Sequence, residues 1–157
     1  MDTAAVGGAP RFDADTLVFG IGNSARGDDG LGWAFLDRAQ GLPGFAAQAE
    51  YRYQLQVEDA LLVARFEHIV FVDASREVLP DGFRWTLCRA RAAPAFTTHE
   101  LPPAAVLHYS QNLYTAAPDA WLLELQGYCW GLYEGLSERA AANLAAALDA
   151  CFDPIPA

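Results

Sequence analysis

The chain has 157 residues, 53% of them hydrophobic and 19% charged, which is enough apolar material for one self-supporting domain and too little charge for intrinsic disorder. Twenty acidic residues face ten basic ones, all arginine, for a net charge of -10, so a nucleic-acid footprint built on basic clusters is excluded. No apolar run reaches the length of a membrane helix. Residues 1–15 lack the basic start and apolar block of a secretory signal, and the three cysteines form no CxxC pair. Together these features point to a cytoplasmic monomer with reduced, structural thiols and no cysteine-bound zinc.

Residues 1–15, rich in Ala, Gly and Asp, carry no periodicity and are expected to form a flexible lead, with a single domain over residues 16–153. The nearly continuous apolar run 16–21 reads as a strand buried on both faces, which suggests a parallel sheet. Asp28-Asp29-Gly30 then stands where a helix N-terminus favours a cap and negative charge, and a first helix is expected to about Ala39. After the Leu42-Pro43-Gly44 break, residues 46–53 read as a second strand and 57–66 as a helix.

The third strand, 68–73, is the clearest: four apolar residues, most of them β-branched, end in Asp73 and a loop. Residues 75–81 are too few for a crossover helix, so the strand 83–89 is expected to return antiparallel. Beyond a loop over 90–100, Pro102-Pro103 opens a helix to Tyr114, a fifth strand covers 120–126, and Ser137 caps an Ala-rich helix that runs to about Phe152. This order predicts a three-layer α/β/α sandwich around a five-stranded, mostly parallel twisted sheet with one antiparallel strand. In such folds ligands bind beyond the carboxyl ends of the strands, where the strand order reverses. If the order is 2-1-3, the loop bearing Asp28 and Asp29 neighbours the end of the strand at Asp73.

The glycine-rich turn Gly20-Ile-Gly22-Asn23-Ser-Ala-Arg26-Gly27-Asp28-Asp29-Gly30-Leu-Gly32 has the outline of a phosphate loop but not its content. It has no GKS or GKT, Ala25 stands where GxGxxG needs glycine, and two carboxylates at a helix mouth repel phosphate. Those carboxylates suit a divalent cation or a hydrogen-bonding role; a plain helix cap is the alternative. Asp73 could equally bond loop amides, and His99, in Thr97-Thr98-His99-Glu100 before a helix, could be a surface residue. Taken together, a carboxylate of the turn, Asp73 and His99 would supply a mixed oxygen and nitrogen donor set suited to a borderline metal such as nickel or zinc.

The strand 83–89 is expected to run down the sheet away from Asp73, so the loop from Ala90 to His99 must climb back for His99 to join the site, and about ten extended residues reach roughly 33 Å, which suffices. His68 and His108 read as structural or solvent-facing, and Trp121, Leu123 and Leu125 as alternating strand residues. Tyr128, Trp130 and Tyr133 either form an aromatic docking surface or pack over the last helix. Neither HExxH nor a Ser-His-Asp or Cys-His signature is evident.

The turn of form GxGNxxxxDDGxG, the strand ending Phe71-Val72-Asp73-Ala74, Thr98-His99 before a Pro-led helix and the late Gly135-Leu136-Ser137 together resemble the hydrogenase maturation proteases over about residues 16–150. The resemblance implies an α/β endopeptidase that removes the C-terminal extension of a nickel-iron hydrogenase large-subunit precursor after nickel insertion. It implies metal contacts at Asp29, Asp73 and His99, with Asp29 and Asp73 as the catalytic carboxylates and Asp28 as a cap or auxiliary base. The nickel would be that of the substrate, contacted transiently. The turn carries Asp29 where some relatives have the longer Glu, and Ser24-Ala25 where Pro-Leu or Leu-Leu is commoner. The rival readings are a non-catalytic assembly factor that binds the nickel-loaded precursor, and a metal-dependent hydrolase of small peptides.

Overall fold

The computed structural model describes residues 10–93 and 101–152. Thr16–Ile21 (β1) is buried at all six positions, as its unbroken apolar run requires. A 3-10 turn, Gly27–Gly30, leads into Leu31–Ala39 (α1), followed by Gln48–Arg52 (β2), Asp59–Val63 (α2) and His68–Ser75 (β3). Phe83–Leu87 (β4), Pro103–Tyr114 (α3), Asp119–Gln126 (β5) and Glu138–Cys151 (α4) complete the order. The five strands form a mostly parallel sheet in the order β2-β1-β3-β5-β4, with only β4 antiparallel to its neighbour. The predicted α/β/α class and the 2-1-3 order are therefore both present.

Alternation along the strands divides the core. Val18, Val70, Val72, Leu123 and Leu125 point to the face covered by α1 and α4. Leu17, Phe19, Ile69 and Phe71 point to the face covered by α2 and α3, where the Phe19 and Phe71 rings stack at 5.5 Å. Burying each such phenylalanine contributes about 2–3 kcal/mol. At the sheet edge, Arg84 of β4 reaches its register partner Glu124 at 2.7 Å, which pins the antiparallel strand.

β2 and β4 are shorter than the expected 46–53 and 83–89, and other boundaries differ from the sequence reading as well. The helix expected over 57–66 is α-helical only over Asp59–Val63, because the flanking amides of Asp59, Ala60, Arg65 and Phe66 bond back three residues rather than four. β3 continues past Asp73 to Ser75, held by β5. The fold also begins before Thr16: Phe12 is 5% exposed and packs against Phe35, Phe45 and Phe152. No helix among the described residues is long and apolar enough to cross a membrane.

Candidate active site

The chain leaves β1 for α1 and β2 on one side, then crosses back through α2 to β3 on the other, so the strand order reverses between β1 and β3. The registered pairs of these two strands end at Gly20 and Val72, while β3 stays paired with β5 as far as Ser75. The last three residues of β3 therefore lie beyond its ladder with β1. A cavity of about 520 Å³ opens there, lined by Asp29, Asp73, Arg26, Arg76, Tyr53 and Trp130 among others.

Asp29 reaches this cavity through a tightly determined turn. Gly22 has φ +141°, and a Cβ on it would lie 2.0 Å from the Asp29 carbonyl oxygen, so only glycine allows the turn to close there. The Asn23 N–H donates to that carbonyl at 3.1 Å, and the Asn23 side chain accepts from the Ala25 N–H at 2.9 Å. Gly32 lets α1 start directly over the strand ends, since a Cβ there would meet the carbonyls of Ile21 and Val72 at 2.5 and 2.6 Å.

The two adjacent aspartates have different surroundings. Asp28 is fully buried, and neither it nor Asp29 caps α1, which starts from Gly30 without a side-chain cap. The Asp28 carboxylate instead accepts from the N–H groups of Tyr128, Cys129 and Ser137 and from the Ser137 hydroxyl, at 2.7–2.9 Å. Burial pushes its pKa up, but these four donors outweigh that and hold it below the usual aspartate value. The expected helix cap or auxiliary base is thus a structural anchor, for a tertiary reason: its partners lie about a hundred residues later.

Asp29 is half-buried at the cavity wall, and burial pushes its carboxyl above the usual value against the opposing pull of Asn23, Arg26 and Arg76. Asp73 shares a strand face with Ile69 and Phe71, and its carboxylate accepts from the Ala74 N–H at 2.8 Å. The structure therefore brings Asp29 and Asp73 to one cavity. His99 lies outside the described residues, and among those described no set of three His, Cys, Asp or Glu side chains is arranged to hold a metal ion.

Of the aromatics flagged in the sequence, Trp130 lines the cavity, Tyr133 is 45% exposed, and Tyr128 packs on α4, bonded to Asn143 at 2.9 Å. His68 and His108 lie away from the cavity, beside Trp121 and bonded to Asn112 respectively. Sequence reasoning missed Arg26, Arg76, Tyr53 and Glu77. Their signal was positional: in an acidic chain with ten arginines, the loops after β1 and β3 each carry one. Glu77, also at the cavity, is engaged by Arg84 at 3.3 Å.

These features define a doubly wound α/β protein with a carboxylate pair at its strand-order switch point. No family model and no curated protein sequence matches the chain. Solved structures do. The nickel-iron hydrogenase maturation protease HycI from Thermococcus kodakarensis KOD1 superposes with a TM-score of 0.67 at 24% identity, covering 90% of this chain and 91% of that one. The hydrogenase maturating endopeptidase HybD from E. coli gives 0.64 at 21% identity, covering 86% and 88%. The hydrogenase 2 maturation peptidase from Thaumarchaeota archaeon SCGC_AB-539-E09 gives 0.60 at 21% identity, covering 86% and 93%. The protein has the fold of these hydrogenase maturation proteases.

Proposed function

We propose that the protein is an endopeptidase that removes the C-terminal extension from the large-subunit precursor of a nickel-iron hydrogenase, with Asp29, Asp73 and His99 contacting the nickel that the precursor carries. The observation that carries this reading is the convergence of Asp29 and Asp73, 44 positions apart in sequence, on one cavity at the switch point. The fold shared with three maturation peptidases along nearly their whole length supports it.

The inclusion of His99 is supported by chain direction. β5 is registered with β3 from its first residue, so α3, which precedes it and spans about 18 Å, begins toward the carboxyl side of the sheet. Leu101 packs into the Phe19 and Phe71 cluster, on the strand face that Asp73 shares. The Arg91 N–H donates to the Ala104 carbonyl in the first turn of α3, and this contact supports the reading in which His99 joins the two aspartates.

Chemically, the pair divides two tasks. The nickel of the substrate binds carboxylate oxygen and imidazole nitrogen, so a loaded precursor is recognised and an empty one is not. An aspartate of the pair, Asp29 being the one whose proton affinity burial has raised, takes the proton of the attacking water as general base. The test is incubation of the protein, and of Asp73→Asn, with precursor prepared with and without nickel, reading the C-terminal mass. Shortening by the parent alone, and only of loaded precursor, is the expected result. Binding without shortening in any condition would leave the assembly-factor reading, and cleavage of unrelated short peptides would leave the small-peptide hydrolase.

A further inference from the structure

Peptide hydrolysis places negative charge on the scissile carbonyl oxygen, and carboxylates cannot stabilise it. The cavity also holds two guanidinium groups, Arg26 from the β1 turn and Arg76 just beyond β3. Arg76 is the fixed one: its guanidinium carbon lies 4.3 Å over the centre of the Trp130 ring, and Trp130 itself lines the cavity. Among the described residues no carboxylate lies within 4.0 Å of either guanidinium, whereas Arg52 and Arg84, close by, are both committed to acidic partners. Arg76 therefore keeps its N–H donors available while its guanidinium is held over the Trp130 ring. Its charge is also felt at Asp29 on the facing wall.

We propose that Arg76, held on Trp130, is a catalytic residue that stabilises the oxyanion formed at the scissile carbonyl. This rests on the endopeptidase reading given above. In the step it serves, a water oxygen bonds to the carbonyl carbon while one of the aspartates takes its proton. The C=O π pair moves onto oxygen, where the guanidinium donates to it. Collapse of this intermediate breaks the C–N bond, the departing amine takes the proton from the aspartate, and the new carboxyl group releases the second water proton to solvent and remains facing Arg76 as carboxylate. Preorganised donors aimed at charge that develops during reaction, in a site part-shielded from water, commonly supply a hundredfold or more in rate. Trp130 is a positioning residue, because its ring orients the guanidinium without reaching the reacting atoms.

The experiment is single-turnover cleavage of nickel-loaded precursor by the parent, Arg76→Gln, Arg76→Lys and Trp130→Ala, with precursor affinity measured in parallel. Arg139→Gln serves as control, since Arg139 stacks on Tyr128 at 4.0 Å outside the cavity. Arg76→Gln is expected to slow cleavage about a hundredfold with affinity changed less than about threefold. Arg76→Lys, which keeps charge but loses the planar fork, should recover part of that rate, Trp130→Ala should fall between, and Arg139→Gln should match the parent. Parent-like cleavage by Arg76→Gln, or a loss that follows weakened binding in proportion, would overturn the role given to Arg76 alone. A parent that binds loaded precursor and never shortens it would overturn the endopeptidase reading, and the role of Arg76 with it.

Discussion

Asp28 holds Ser137 twice, accepting its backbone N–H and its hydroxyl at 2.7 Å each, and the same hydroxyl accepts the Ala140 N–H at 3.2 Å to cap α4. A relay of hydrogen bonds thus runs from the start of the last helix to the turn that presents Asp29. The Gly27 and Asp28 amides donate back to the carbonyls of Tyr133 and Cys129, both at 2.8 Å, so turn and loop position each other. Replacing Asp28 with Asn leaves one oxygen where two served and turns an NH₂ group toward N–H donors. We expect a loss of about 2–4 kcal/mol, read as a lower denaturant midpoint with unchanged slope.

The same anchor sets an acid limit. Since the carboxyl of Asp28 sits below its ordinary value in the folded protein, its contribution is complete above the unfolded value near 3.8 and is lost as pH falls through the folded value. Thermal stability of the parent should therefore drop more steeply below about pH 4 than that of Asp28→Asn, which has no such proton to bind. Melting curves at pH 3 to 7 for both proteins measure this, and parallel profiles would contradict it.

Asp29 carries the opposite sign. Burial has raised its carboxyl, so the ionised form costs stability that grows as pH rises from the unfolded value through the folded one. Asp29→Asn should melt no lower than the parent at pH 7, while its cleavage of loaded precursor falls by about 10²- to 10⁴-fold. A stable, inactive Asp29→Asn beside an unstable Asp28→Asn would separate the two neighbours by function.

Gly22→Ala places a methyl 2.0 Å from the Asp29 carbonyl at a φ of +141° that alanine resists. The turn must move, and Asp29 with it. Activity is expected to fall at least tenfold along with about 2 kcal/mol of stability, whereas Gly41→Ala, whose Cβ meets nothing nearer than 3.6 Å, should be close to neutral. Cleavage assays and thermal melts of the two variants make the comparison.

All three cysteines are free, but only Cys129 is exposed. Burial pushes the thiols of Cys88 and Cys151 up to about 11 and about 12, so neither supplies thiolate near neutral pH. Native alkylation at pH 8 should add one label quickly, at Cys129, and three only after unfolding, as intact mass will show.

The parallel sheet, its antiparallel edge and both helical layers were legible because periodicity and connection length are local properties. Thr16–Ile21 can only be a strand buried on both faces, and the seven residues from Ser75 to Asp81 cannot hold a crossover helix. The turn aspartates and Asp73 were legible as candidates for a related reason: strand ends at a switch point are where such folds keep their ligands, and the 2-1-3 order on which their meeting depended is the one the sheet adopts. Helix ends were less so, because the turns flanking Asp59–Val63 tighten to three-residue bonds that apolar spacing does not register.

What the sequence determined alone was the set of elements, their order along the chain and the mostly parallel sheet with one antiparallel strand. Only tertiary structure decided which of two adjacent aspartates serves the cavity, because that depends on Tyr128, Cys129 and Ser137 closing over Asp28 from a hundred residues away. It also decided that Arg76 lies on Trp130 while Tyr128 turns to α4. Pairings of that kind are set by packing between distant loops, and no local pattern of residues encodes them.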